Sequence, residues 1–264
     1  MKTIFNIISK NYRLNHLLYD NATDKHFAKH SHSLYEMIYV LNGEVEYIIE
    51  DKLYTAKKHS LILIKPYTYH YFTIKSNGDY EKIGILFNPD FLNIDISMLN
   101  SELQCLDLKN YGIIDAIFQK MDFYYKSFTQ EVFLQLYFSL IQEIIFNLSL
   151  IRETTTTLQY HTPILSPVLA YINANLFTIR RLEDISTALN ISTSYLKAIF
   201  KKELKTQPKK YINEKRLLIA RQAILSGEKA TAVAERCGFQ NYSTFYRLYC
   251  DYFGYSPSQE MQAP

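Results

Sequence analysis

Read as a string of apolar and polar positions, the chain changes character twice. Between residues 25 and 90 the apolar runs are short and end at turn-forming residues. Leu34–Leu41 is apolar and β-prone, and Glu44-Val45-Glu46-Tyr47 alternates polar with apolar. Further runs follow at Leu53–Ala56, Leu61–Ile64, Tyr69–Lys75 and Ile83–Phe87. Alternation with a period of two is what a strand with one buried face requires. Asn42-Gly43 suits a tight hairpin turn that needs positive φ. Breaks at Asp51-Lys52, Lys65-Pro66 and Asn77-Gly78-Asp79 complete a pattern of short strands and regular turns, which predicts a small barrel or sandwich.

From about Asp90 the period becomes helical. Ile113, Ile117, Met121 and Tyr124 keep helical spacing, and Val132 to Ile151 forms a longer apolar stretch. Its polar residues, Gln135, Ser139, Gln142, Glu143 and Asn147, fall on one stripe of a helix. The stretch is long enough for a membrane span, but a central glutamate is costly in lipid, so a helix buried against protein and a soluble chain are expected. These helices carry more apolar surface than one small barrel needs; a dimer seam and a layer closing the domain's own core each account for it. Thr154–Thr157 suits neither helix nor core. A linker is placed at 153–163, ending at Pro163, between domains at 1–152 and 164–264.

The last hundred residues read as helices throughout, with one pattern occurring twice. Leu182, Ile185 and Leu189 share a helix face, Asn190 stands where a left-handed turn residue is wanted, and Ser192 can cap the next helix. Leu196, Ile199, Phe200 and Leu204 then mark that helix's buried side. In the second unit Ala230, Val233 and Ala234 form a small-residue face, Gly238 makes the turn and Asn241 is the N-cap. Phe245, Leu248, Tyr249 and Phe253 follow as the packed face. Tyr211–Leu225 joins the units as a helix. A short helix, a tight turn and a second helix with a polar, basic outer face is the helix-turn-helix pattern.

Charge sharpens this picture. The formal net charge of +3 conceals 14 Lys+Arg against 8 Asp+Glu from His161 onward, and 15 against 18 before it. A polyanion partner confined to one end fits that asymmetry. The three cysteines, Cys105, Cys237 and Cys250, form no disulfide framework, which fits a reducing, cytoplasmic setting; no signal-peptide core is legible near the N-terminus. No nucleophile elbow, Walker motif or phosphate-cradling Gly loop is present, which argues against hydrolase or nucleotide-driven chemistry.

The run from Arg216 to Arg221, the run Cys237-Gly-Phe-Gln-Asn-Tyr-Ser-Thr-Phe-Tyr-Arg247, and Asp251-Tyr-Phe-Gly-Tyr-Ser-Pro-Ser258 together resemble the C-terminal signature of AraC/XylS-family transcription regulators. Ile191 to Leu204 is similar to that family's first recognition helix. Ser186, Asn190 and Lys205 depart from the Ala, Gly and Gly usual there.

The resemblance implies that Ser194, Lys197, Ala198, Tyr242, Ser243, Tyr246 and Arg247 face bases, Arg247 being suited to a guanine edge. Ser192, Lys201, Lys202, Arg216 and Asn241 are assigned to phosphate. It further implies promoter DNA, RNA polymerase and a second copy of the chain as partners, and a regulator, specifically an activator, rather than an enzyme.

His30-x-His32-x-x-x-Glu36, with Gly43, Pro66 and His70, resembles the two motifs of the cupin barrel. The expected fold is therefore α+β: a cupin-like β-barrel with helices, then an all-α domain of two helix-turn-helix units joined by a helix. His30, Glu36, Tyr39, Tyr47 and His70 are expected to bind a small-molecule effector, with no cofactor. The alternatives are a metal held by His30, His32, Glu36 and His70, as in a metal-dependent enzyme with a DNA-binding tail, and a purely structural barrel.

Overall fold

Two strands that the apolar pattern did not announce open the chain, β1 (Lys2–Ile8) and β2 (Tyr12–Tyr19). The six runs read from the sequence follow as β3 (Tyr35–Asn42), β4 (Glu44–Ile49), β5 (Lys52–Lys57), β6 (Ser60–Ile64), β7 (His70–Ile74) and β8 (Tyr80–Phe87). A one-turn helix α1 (Pro89–Leu92) and a short β9 (Cys105–Asp107) lead to α2 (Gly112–Ser127) and α3 (Gln130–Ser149). The computed structural model describes residues 1–9, 11–20, 30–50, 52–74, 78–93, 95–96, 104–151 and 165–260. The linker expected at 153–163 lies outside the described residues. The chain divides into two units, one comprising Met1–Ile49 and Leu53–Gln159, the other including Tyr160–Pro264.

In the first unit a six-stranded sheet, ordered β1-β2-β8-β3-β6-β9, accompanies a three-stranded sheet ordered β5-β4-β7. Alternation along β3 sends Ile38 and Val40 into an apolar cluster shared with Tyr47 and Phe72 of the smaller sheet, and Met37 and Tyr39 into a second cluster with the helices. The larger sheet is thus buried on both faces, which explains why Leu61–Ile64 is a continuous apolar run.

Asn42-Gly43 does not make the expected hairpin. Gly43 has φ 89°, but β3 and β4 belong to different sheets, so the turn is a corner between them. The glycine is needed there, because an added Cβ would lie 2.7 Å from the carbonyl oxygen of Asp79.

Helix α3 is long and apolar enough to cross a membrane, yet Phe133, Tyr137, Ile141 and Ile144 are fully buried in the sheet–helix cluster. Gln135 and Ser139 are not buried, in keeping with the polar stripe; Val132, Phe146 and Leu150 are exposed as well.

One polar device ties α2 to the sheet. His16 of β2, only 2% exposed, places Nδ1 2.6 Å from Asp122 on α2 and Nε2 2.8 Å from Glu81 on β8. Burial alone pulls the imidazolium's pKa down, but the two carboxylates outweigh it and hold it above 6.5.

The second unit is helical: α4 (Leu165–Ala174), α5 (Leu182–Ala188), α6 (Thr193–Ile199), α7 (Pro208–Leu225), α8 (Ala230–Arg236) and α9 (Tyr242–Phe253). Helix α6 runs on into a single π turn, Phe200–Leu204, that keeps Phe200 and Leu204 buried and ends at Lys205. Near the C-terminus the buried carboxylate of Glu260 accepts from Arg221 Nε at 2.8 Å and from the Tyr249 hydroxyl, tying α7 to α9.

Both family departures that replace glycine fall at left-handed positions, Asn190 at φ 53° and Lys205 at φ 51°. Asparagine tolerates this region and lysine does so poorly. Lys205→Gly is therefore expected to raise the stability of the second unit by about 0.5–1 kcal/mol, read from urea midpoints. A second expectation concerns pH. A raised folded-state pKa for His16 adds stability below the unfolded pKa that is lost as pH rises through the folded value. The first unit should melt at a higher temperature at about pH 6 than at about pH 8, and His16→Asn should shrink that difference in calorimetry.

Candidate nucleic-acid interface and ligand site

The second unit presents two helix-turn-helix pairs, α5–α6 and α8–α9. At each recognition helix the local sequence sets the start. Ser192 accepts from the Tyr195 N–H at 3.1 Å, and Asn241 accepts from the Thr244 N–H at 2.8 Å. Each cap oxygen thereby satisfies one of the orphan donors of its helix.

The packed faces follow the sequence pattern. Leu196, Ile199, Phe200 and Leu204 are buried on the first helix, and Phe245 and Tyr249 on the second. The expected base-facing residues, Ser194, Lys197 and Ala198 on α6 and Tyr242, Ser243, Tyr246 and Arg247 on α9, are all exposed. On α9 the pairs 242/246 and 243/247 are one helical turn apart, so they form a single outward stripe. Lys201 and Lys202 are also exposed, and Lys202 pairs with Glu203 at 3.2 Å.

Arg216 does not belong to this surface. It lies on α7 with 6% exposure. Its Nε donates to the Leu176 carbonyl at 2.8 Å, Nη2 to Ile179 at 2.6 Å and Nη1 to Gly238 at 3.1 Å. The phosphate role expected for it is therefore corrected: the side chain is buried and each of its three nitrogens already donates to a backbone carbonyl, so it is not presented on the surface with the recognition helices. The fixed fork of donors suits three carbonyls converging from two loops, which a lysine could not satisfy.

Gly238 completes the same joint. Its φ is 80°, and an added Cβ would lie 2.3 Å from the Phe177 carbonyl oxygen, so the turn of the second pair sits directly on the chain leaving α4.

Beside the joint runs a groove of about 480 Å³ lined by Arg180, Arg181, Lys209, Asn213, Thr244 and Arg247 among others. Arg180, Arg181 and Lys209 were not singled out from the sequence, although the Arg180-Arg181 pair immediately before α5 was a legible signal. Asp184 turns back on that pair, its carboxylate accepting from the Arg180 and Arg181 N–H groups at 2.7 and 3.0 Å.

In the first unit the four residues at the cupin-like spacing do come together. His30 and His70 form an antiparallel bridge, with backbone hydrogen bonds of 3.1 and 3.0 Å. One ligand-capable atom from each of His30, His32, Glu36 and His70 lies within 4.8 Å of all the others. Glu36 and His70 are buried, His32 is partly exposed and His30 is exposed. Glu36 Oε2 stands 3.1 Å from His32 Nε2 and 3.1 Å from His70 Nε2. Burial would raise the Glu36 pKa, but the two imidazoles outweigh it and hold the carboxyl well below the usual carboxylate range.

The two tyrosines do not join them. Tyr39 points to the helix side of the sheet, where it stacks on Phe118 at 4.2 Å and its hydroxyl donates to Asp115 at 2.6 Å. Strand alternation puts it on the face opposite Glu36, which corrects its place among the effector residues. Tyr47 faces the space between the sheets, but its ring stacks on Phe72 at 4.9 Å and its hydroxyl meets that of Tyr80 at 2.8 Å. It offers no free face for stacking a ligand.

A residue the sequence reading missed is Lys82, 8% exposed, with its ammonium 5.3 Å from the Phe72 ring centroid. Burial lowers its pKa against the attraction of Glu36. Its parity in Tyr80–Phe87 was the available signal: two residues from Tyr80, it shares that residue's inward face.

Comparison with known proteins places two matches in order along the chain. An AraC-like ligand binding domain matches residues 16–120 and a helix-turn-helix domain matches residues 185–263. The transcriptional regulator GbdR of Pseudomonas aeruginosa is 33% identical over 101 residues, 38% of this chain and 28% of GbdR, so the chain spans less than a third of that relative's length. LumQ of Photobacterium leiognathi, a probable transcriptional regulator, is 23% identical over 238 residues, 89% of this chain and 92% of LumQ. Among solved structures, ToxT of Vibrio cholerae aligns over 96% of this chain and 98% of its own at 16% identity and a TM-score of 0.37.

The joint at Arg216 yields a direct test. Removing the guanidinium leaves three carbonyls to find other partners, and charge-assisted bonds of this kind are worth about 1.5–3 kcal/mol each. Arg216→Met is expected to cost the second unit at least about 3 kcal/mol in urea melts, with Arg216→Lys recovering little of it. A residue serving only phosphate would leave those melts unchanged.

Proposed function

We propose that this chain, which belongs to the AraC family of transcription regulators, is a cytoplasmic, sequence-specific activator whose α6 and α9 enter successive major grooves about 34 Å apart. The observation that carries the reading is the division of labour in the second unit. Every residue assigned to bases is exposed, while the frame holding the two helices is locked by buried backbone contacts. That is the arrangement a rigid reader of two adjacent grooves needs, because any looseness between the helices would weaken binding through the entropy lost on docking.

Within this reading Arg247 reads a guanine edge through its two-pronged donor set, and Tyr242, Ser243 and Tyr246 contact neighbouring bases. On α6 the reading rests on Ser194 and Lys197, since Ala198 brings only a methyl group. Ser192 and Asn241, at the helix starts, and Lys201 and Lys202 hold the backbone. The groove residues Arg180, Arg181 and Lys209 extend the phosphate contacts between the two helices.

We further propose that a small-molecule effector controls DNA binding from the first unit, held through His30, Glu36 and His70 at the open end of their cluster. The match of residues 16–120 to a ligand binding domain supports this, as does the exposure of His30 beside two buried polar partners. Switching requires that the effector bind the two functional states with different affinity. A homodimer through the exposed apolar positions of α3 and contact with RNA polymerase complete the proposal.

Footprinting on the DNA upstream of the chain's own gene tests it. Arg247→Ala should cost about 1–3 kcal/mol and relax preference at one base pair, whereas Lys201→Ala should weaken all sequences alike and lower the salt slope by about 0.9. Unchanged binding by the Arg247→Ala, Lys197→Ala double variant would overturn the assignment of these helices.

A further inference from the structure

A buried cation in the first unit has no counter-charge of its own. Lys82 lies on the inner face of β8, between Leu17 of β2 and Val40 of β3, and is 8% exposed. Its ammonium rests near the Phe72 ring and, among the described residues, makes no hydrogen bond and no ion pair. The carboxylate that attracts it is Glu36, whose Oε2 is already shared between His32 and His70. Arg13, exposed on the same face of β2, repels it. A ring face compensates a buried ammonium only in part.

A second open group lies diagonally across the β2–β8 ladder. Asn15 is 6% exposed, and its Oδ1 is enclosed with no hydrogen-bond partner among the described residues. Its register partner is Gly84, and the amide lies over that glycine: an added Cβ would stand 2.7 Å from Oδ1. Glycine inside a strand weakens it and often marks a close approach by a ligand or another backbone. Here it makes room for a polar side chain whose oxygen then bonds nothing.

Buried polar groups are as a rule hydrogen-bonded. A cation and an acceptor left open on one inner face therefore mark a place where a ligand supplies the partners. Ile38, Val40, Tyr47, Phe72 and Tyr80 belong to the same interior cluster, so the surroundings are apolar and aromatic, as small-molecule sites generally are.

We propose that the interior of the first unit binds a small organic acid, its carboxylate on Lys82 and a hydroxyl or N–H donor of the same molecule on Asn15 Oδ1. Its apolar body packs against Ile38, Val40 and Phe72. A neutral polyol leaves the ammonium unpaired, and a cationic ligand meets Lys82 and Arg13 as like charges. The inference rests on the reading of the first unit as an effector domain and names the chemical class of the effector.

The full chain, free of DNA, is titrated by thermal shift and calorimetry with two series of probes. Mandelate carries acid, hydroxyl and ring; phenylacetate lacks the hydroxyl and styrene glycol lacks the charge. Lactate, propionate and propylene glycol repeat the comparison without the ring. In at least one series the hydroxy acid is expected to raise the Tm by several degrees and to bind more tightly than its plain acid, with the diol weakest. Lys82→Met should weaken the hydroxy acid by more than about tenfold and abolish the preference for acid over diol. Asn15→Leu should abolish the preference for hydroxy acid over plain acid and keep the preference for charge.

Without ligand, Lys82→Met should melt above the parent, because it removes an unpaired buried charge; a lysine kept for structure alone would make the variant melt below it. Circular dichroism confirms that each variant is folded, and Lys82→Met carries the test if Asn15→Leu is not. No saturable binding of either hydroxy acid, or equal affinity in a folded Lys82→Met and the parent, overturns the site. DNA binding is measured separately. Its persistence where no acid binds leaves the regulator reading standing, whereas acid binding that leaves DNA affinity unchanged supports the site and removes effector control.

Discussion

Three backbone carbonyls, from Leu176, Ile179 and Gly238, converge on one buried guanidinium, and the geometry of the second unit depends on that convergence. Each carbonyl comes from a segment with no regular partner for it. Arg216 meets all three from the middle of α7, and its hydrogen bonds go to carbonyls rather than to a carboxylate, so the carbonyl dipoles must compensate its charge. Burial lowers the Arg216 pKa, as a cation held by dipoles alone should show, with the neighbouring charge of Arg180 adding to the effect. A buried cation costs several kcal/mol to desolvate, and is retained only where its hydrogen bonds are complete. Here each of its three nitrogens finds a carbonyl because the loop leaving α4 and the turn between α8 and α9 are brought within one side chain's reach. Missing its Cβ, Gly238 lets that turn settle onto Phe177.

The first unit solves a different problem. Its larger sheet must hide two apolar faces, and it does so with the smaller sheet on one side and α2 and α3 on the other. Polar groups in such a place need explicit partners. Asp122 and Glu81 serve His16, Asp115 serves Tyr39, and the hydroxyls of Tyr47 and Tyr80 serve each other. Around Glu36, by contrast, His32 Nε2 hydrogen-bonds the carboxylate while buried His70 Nε2, 3.1 Å away, makes no hydrogen bond.

Much of this was legible in the sequence where the signal is local. The helix-turn-helix pairs were readable because caps, turn residues and a period of 3.6 lie within a few residues of one another; Ser192, Asn190, Gly238 and Asn241 all take the roles their side chains suit. The strands from 35 to 87 were readable for the same reason. What failed was non-local. Asn42-Gly43 has hairpin chemistry, but whether the strands it joins pair with each other is decided by β8 and β7, which come later in the chain. Among the described residues strand β1 pairs only with β2, and its sequence, half exposed, lacks a clean alternation. Arg216 sits in a basic run, and nothing nearby in sequence shows that two of its partners lie 40 and 37 residues upstream. Tyr39 is the exception that was within reach: it is three residues from Glu36, an odd number, and therefore on the other face.

The two kinds of residue in the second unit age differently. A substitution at Arg216 or Gly238 disturbs the packing of separate segments together, so each must be matched by compensating changes elsewhere. Tyr242, Ser243, Tyr246, Arg247, Ser194 and Lys197 touch solvent and bear on no such joint. Drift at those positions alters which base pairs are favoured while the scaffold stays put. A frame that cannot vary thus makes a reading surface that can, and new operators become accessible one exposed side chain at a time.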